Sequence, residues 1–191
     1  MLNNFWSNLI FWIGLFLLGY ITTMVLWGVN RGKWFFSKEY KMGKYLNPII
    51  LFLLNIPAYV FPFINQPRFG LLTLAVLLIG IPMLALGVAV KILAGGNKTA
   101  KKTLGLAVER KLFTSGIYGV IRHPIYLAVN LMPLSLAIIF KATYAVCFDA
   151  FRLIAYLTFI FLEEKQLEEE FGEEYREYKE KVRWRLIPYL F

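Results

Sequence analysis

Long apolar runs separated by short charged clusters set the pattern of this chain. Five stretches approach the length of a bilayer-crossing helix: residues 8–29, 47–64, 69–93, 124–140 and 143–162. A spanning helix needs about 20 mostly apolar residues. The second and fourth are short, which predicts tilted, kinked or partly shielded helices. Pro57, Pro62, Pro82 and Pro133 mark the expected kinks, because proline lacks an N–H and crowds the preceding turn. Only Lys141 and Ala142 separate the last two stretches, so these predict a tight antiparallel hairpin. After Leu162 the pattern changes. Leu167, Phe171, Tyr175, Tyr178 and Val182 recur at helical spacing, while Glu168, Glu169, Glu173, Glu174, Glu177 and Glu180 fall mostly off that stripe. This predicts an amphipathic helix. Gly172 interrupts it, at about 1 kcal/mol relative to alanine.

Composition moves the chain firmly toward the membrane class. Of its 191 residues, 59% are hydrophobic and 17% aromatic, and the mean hydropathy is +0.58. Soluble domains are about half apolar and about a quarter charged. The net charge of +9 is unevenly placed. Arg31, Lys33, Lys38, Lys41 and Lys44 follow the first run, and Lys98, Lys101, Lys102, Arg110 and Lys111 follow the third. The other turns hold only Arg68 and Lys141. This asymmetry argues for membrane topology and against nucleic-acid binding. It predicts an outside N-terminus, with both basic loops and the C-terminal segment cytoplasmic. The run from residue 5 to 29 is too long for a signal-peptide core and predicts a retained helix. A single cysteine, Cys147, excludes an intramolecular disulfide. The expected fold is all-α: a polytopic membrane protein with about five transmembrane helices and a cytoplasmic C-terminal amphipathic helix. One membrane domain, 1–191, then comprises a transmembrane scaffold, 1–97, and a catalytic half, 98–191.

Polar chemistry gathers at two places. The only histidine, His123, lies in Gly116–Tyr126 between Arg122 and Pro124, with Tyr118 and Tyr126 nearby. Pro124 holds His123 extended and starts the next helix. Arginine, histidine and a helix start suit a ligand carboxylate. Taken singly, these residues read as an interfacial histidine and an aromatic belt. Glu163 and Glu164 read singly as a solvated helix end. Yet they flank the apolar stripe, so at least one carboxylate turns inward, and such a group usually has a partner or a job. The hairpin puts both clusters on one face of the membrane. Asp149 and Arg152, one turn apart inside the fifth run, read as a neutralising pair. Lys91 can snorkel. One histidine and one distant cysteine argue against a metal site, and no serine or cysteine forms a nucleophile constellation with His123.

Gly116, Tyr118, Arg122, His123, Pro124 and Tyr126, followed by Glu163, Glu164, Leu167, Phe171, Gly172, Tyr175 and Tyr178, resemble the paired motifs of the integral-membrane methyltransferases. These include isoprenylcysteine carboxyl methyltransferases and phospholipid N-methyltransferases. The resemblance covers residues 112–188 and implies S-adenosylmethionine as methyl donor. Carried over by motif position, Leu112, Phe113, Tyr118, His123, Pro124, Ile125, Tyr126 and Glu163 line the cofactor pocket. Arg122 would meet the donor's carboxylate, and Glu164 would serve as base for an amine acceptor. The implied reaction is methyl transfer to a lipophilic acceptor at the cytoplasmic face, a prenylcysteine carboxylate or a phospholipid amine. The segment from Glu163 to Val182 would form the lid. Phe159 stands where the carboxyl-methylating enzymes carry an arginine, so the acceptor stays open. Oligomeric state is not encoded in these patterns. The competing reading is a non-catalytic membrane scaffold or lipid-binding protein.

Overall fold

Long runs of mostly apolar residues favour helix inside a bilayer, since a helix satisfies every backbone polar group within its own segment. The computed structural model describes residues 9–29, 55–103 and 112–191, with side chains described over 10–22, 55–95 and 112–191. Its helices are α1 (Leu9–Val29), α2 (Thr73–Thr103), α3 (Pro124–Ile139), α4 (Thr143–Phe171) and α5 (Glu173–Lys181). Residues 55–60 are also helical and run into a 3-10 turn, Phe61–Phe63. A second 3-10 turn spans Gly116–Gly119. Among the described residues the only extended pairing is an isolated bridge between Arg68 and Ala142.

Two helices, Thr73–Gly95 and Thr143–Phe171, are long and apolar enough to cross a bilayer, and Ile10–Thr22 and α3 are shorter apolar helices. Large apolar side chains cover their outer surfaces, including Ile10, Leu74, Leu78, Ile92 and Ile154. A water-facing surface of that kind would be unstable. The protein is therefore all-α and membrane-associated, with at least two long apolar helices. The run at 47–64 is described only from residue 55. Arg31, Lys33, Lys38, Lys41, Lys44, Arg110 and Lys111 lie outside the described residues, as do the side chains of Lys98, Lys101 and Lys102. The third helix differs from expectation in length. It starts at Thr73 and runs on to Thr103, because lysines and alanine continue a helix well beyond its apolar part.

The chain divides into two compact units, Met1–Ile81 with Pro133–Thr158, and Pro82–Met132 with Phe159–Phe191. In the first, Trp12 stacks on Phe61 at 4.9 Å between ring centroids, and Phe16 meets Phe148 edge-on at 5.8 Å. The turn between α3 and α4 is as short as the spacing predicts. Lys141 takes φ 55°, and Ala142 N–H donates to Ala137 O at 2.8 Å. Arg68 ties this turn down by donating to Pro62 O, Ile64 O and Phe140 O. Lys141 in turn donates to Leu71 O at 2.8 Å. Asp149 and Arg152 pair at 3.2 Å.

The second unit holds the residues of interest here. Its core joins Leu112, Tyr175, Tyr178 and Val182, with Leu167 and Phe171 packed against them. Gly172, at φ 53°, separates α4 from α5. A residue with a side chain rarely adopts that conformation. The break aims Tyr175 and Tyr178 inward while the glutamates around them stay largely exposed.

Candidate active site

The residues before α3 are held by the end of the chain. Arg122 N–H donates to Trp184 O and His123 N–H to Arg185 O, each at 2.9 Å. The His123 carbonyl accepts from Leu127 N–H at 3.2 Å and so opens the first turn of α3. Pro124, fully buried, follows it. An X-Pro pair at a helix start favours an extended residue and then a preset helical φ. Backbone pairing and the proline together fix where the imidazole points.

Glu164 is the hub of the cluster. Arg122 Nε and Nη2 donate to its Oε1 at 2.9 and 2.7 Å. Arg185 Nε donates to Oε2 at 3.1 Å, and His123 Nε2 lies 3.2 Å from Oε1. Arg122 Nη1 donates onward to Val182 O at 2.6 Å and Arg183 O at 2.8 Å. Arg122 and Glu164 are both buried, so the pair is stable only because nearly every polar atom finds a partner. Arg185 lies over the Phe161 and Phe191 rings at 5.0 and 5.3 Å.

Glu163 is placed differently. Its Oε2 faces His123 Nδ1 at 3.5 Å, an ion-pair distance too long for a good hydrogen bond. That oxygen is buried with no hydrogen-bond partner, as is the Tyr175 hydroxyl. His123 therefore lies between two carboxylates. Burial favours the neutral ring, but the closely facing carboxylates of Glu163 and Glu164 outweigh it and hold the imidazole pKa above its ordinary value. Burial, with a smaller push from Glu163, takes the Tyr118 phenol up to about 12. Tyr175 and Tyr178 are also raised, chiefly by burial. All three phenols keep their protons at neutral pH.

The structure brings most of the sequence-derived site residues into one cluster. Leu112 packs in the Tyr175 and Tyr178 core, and the Phe113 and Tyr118 rings lie 6.1 Å apart. Tyr178 Oη donates to the Tyr118 carbonyl at 2.7 Å. The Tyr126 ring meets His123 edge-on at 5.7 Å. Ile125 is exposed. Arg122 and Glu164, expected to act on a ligand and an acceptor, are bound to each other. Sequence reasoning missed Arg185 and the pairing of residues 184–185 with 122–123. The two arginines flanking Trp184, directly after an acidic helix, were the available signal.

No solved structure matches the chain. A sequence model described as the ergosterol biosynthesis ERG4/ERG24 family matches residues 94–191. That match corrects the methyltransferase reading, and with it both the prenylcysteine carboxyl and the phospholipid acceptors. The family is one of sterol reductases, so its membership points to reduction and not to methyl transfer. Its enzymes typically use NADPH, which displaces S-adenosylmethionine as the expected cofactor. The physical reason for the misreading is visible in the cluster. Arg122 and Glu164 are committed to each other and to the backbone of residues 182–183, so the paired motifs describe a clamp and do not specify the chemistry performed beside it. With a match that covers more than half of the chain and contains every element of this clamp, the protein belongs to the ergosterol biosynthesis ERG4/ERG24 family.

Proposed function

We propose that this protein reduces a carbon–carbon double bond in a sterol-like, lipophilic substrate with NADPH, beside His123 and Glu163. The observation that carries the reading is a histidine held between two carboxylates, one of which keeps a buried oxygen without a hydrogen-bond partner. The residues present fit the cofactor. Glu163 Oε2 is an acceptor and the Tyr175 hydroxyl a donor, a pair suited to the N–H and carbonyl of a carboxamide. Lys165 and Arg183 are exposed and form no ion pair among the described residues, which suits phosphate oxygens.

NADPH, held by Glu163 and Tyr175, would supply the hydride for one alkene carbon. The other carbon needs a proton, and that is the task of this chain's residues. His123 stores it, because its two carboxylate neighbours favour the imidazolium. Glu163, with a side chain about one-third exposed (31%), takes the proton from Nδ1 and delivers it to that second alkene carbon. Solvent then restores it. Glu164 and Arg122 position the imidazole, and Arg185 secures Glu164.

The same reading places the catalytic half at residues 98–191, which the family match over 94–191 supports. It takes about five transmembrane helices, an outside N-terminus and a cytoplasmic site, supported by the lysines and arginines gathered in two loops. The end of α4 together with α5 forms an amphipathic lid, supported by the burial of Tyr175 and Tyr178 beneath an acidic outer face.

The test is purified full-length chain in detergent, given NADPH and sterols carrying ring or side-chain double bonds. The expected result is NADPH oxidation matched mole for mole by sterol gaining two hydrogens. His123→Ala should lower that rate by about 100-fold or more, as for a lost general acid. Absence of both signals with every sterol would overturn the reading.

A further inference from the structure

A second polar cluster lies in the first unit, inside the apolar part of α4. Asp149 and Arg152 are 3% and 0% exposed and Tyr156 is 2% exposed. Arg152 Nε donates to Asp149 Oδ1 at 3.2 Å. Its Nη1 turns away from the carboxylate and donates to Asn55 Oδ1 at 3.1 Å. Tyr156 Oη donates to the same Asn55 oxygen at 3.0 Å, and the guanidinium carbon sits 5.3 Å from the centre of the Tyr156 ring. Asp149 Oδ2 is buried with no hydrogen-bond partner.

A pair that served only to neutralise charge in the membrane would close more simply. Arginine forms two parallel bonds to a carboxylate when nothing else competes. Here the fork is divided between Asp149 and Asn55, and one carboxylate oxygen is left over. An unmatched buried acceptor is destabilising, and ionisable groups within a membrane helix usually mark a functional site. The surface along this part of α4 is apolar, with Leu153 and Ile154 exposed. A group that reaches Oδ2 from this side must therefore be soluble in lipid, uncharged and able to donate one hydrogen bond. An ammonium group fails the second condition. A hydroxyl on an apolar body meets all three.

We propose that Asp149, set by Arg152, Asn55 and Tyr156, is a binding site for the hydroxyl of a lipid-soluble alcohol. The hydroxyl donates to Asp149 Oδ2, and the apolar body lies along α4. This inference does not rest on the reductase reading, and its test contains no NADPH.

The experiment measures equilibrium binding of a radiolabelled sterol and of its O-methyl ether to the full chain in lipid nanodiscs. The ether keeps the shape and the oxygen but has no hydrogen to donate. The parent should bind the alcohol about tenfold more tightly than the ether, the worth of one hydrogen bond to a charged group. Asp149→Asn keeps the shape and puts an N–H donor at the open position. That donor serves alcohol and ether alike, so the two affinities should come within about twofold of each other. Infrared difference spectra on adding the alcohol should show a carboxylate band that is missing from Asp149→Asn. The proposal is overturned if the parent does not distinguish alcohol from ether, if Asp149→Asn distinguishes them as the parent does, or if the parent's carboxylate band is unmoved by the alcohol.

Discussion

His123 has one ring nitrogen 3.2 Å from Glu164 and the other 3.5 Å from Glu163, and its behaviour with pH follows from those neighbours. Its folded pKa is raised above the ordinary value. The stabilisation is therefore fully present below about pH 6.5, the ordinary imidazole value, and is lost as pH rises through the folded value. Thermal midpoints should fall across that window in the parent and change less in His123→Gln. If protonated His123 is the acid, turnover should decline over the same window. Glu164→Gln leaves Arg122 facing a neutral amide and should cost about 3 kcal/mol, the lower end for breaking a buried pair. A drop in thermal midpoint of the detergent-solubilised protein would register it. Tyr178→Phe strands the Tyr118 carbonyl and should cost about 1 kcal/mol, read by denaturant unfolding, with far-ultraviolet helix content unchanged. At this scale the sequence was partly legible. The meeting of His123 with Glu163 and Glu164 was readable because a two-residue turn leaves a hairpin little choice about which ends meet. Arg185 was not found, because backbone pairing between distant irregular segments leaves no periodic trace.

Helix α2 shows how position decides the effect of one residue type. A Cβ on Gly80 would lie 2.5 Å from Ile139 Cγ1 and 3.3 Å from Ser135 O. Ile139 is β-branched and Ser135 O is backbone, so neither yields easily. Gly80→Ala should destabilise the protein by about 1–3 kcal/mol through overpacking. Gly95 has nothing within 4 Å of its Cβ position, and Gly95→Ala should stabilise by up to about 1 kcal/mol through helix propensity. Paired thermal melts would test the contrast, and equal effects would contradict this packing. Helix existence was readable from apolar length alone. The end of α2 was not, since lysines that look like a loop in a hydropathy profile are good helix formers. The division of the C-terminal stripe at Gly172 was visible as an interruption, but its φ of 53° was not.

At the scale of the whole molecule, membrane class was written into composition and charge, and the family match now adds the kind of chemistry. The methyltransferase resemblance failed for a definable reason. Its motif residues specify Arg122, His123, Glu163 and Glu164, which form a clamp, while the transferred group is decided by atoms the motifs do not contain. Arg185 offers a global check. It joins Glu164 to the Phe161 and Phe191 rings, so Arg185→Ala should loosen the clamp and flatten the dependence of thermal midpoint on pH. A profile as steep as the parent's would count against the coupling of residues 182–191 to His123.

The backbone bonds from Arg122 and His123 to Trp184 and Arg185 also bear on biosynthesis. About sixty residues separate the two partners along the chain, and a contact of that separation forms late. The helices enter the bilayer while residues 182–185 are still inside the ribosome, so the imidazole has no fixed direction during insertion. A chain interrupted before residue 184 would carry α1 to α5 without the backbone bonds that hold Arg122 and His123. Arg122 and Glu164 would still face each other, but Glu164 would lack Arg185 and the N–H groups of Arg122 and His123 would lack their carbonyl partners, a feature by which quality-control proteases could distinguish an unfinished chain from a finished one.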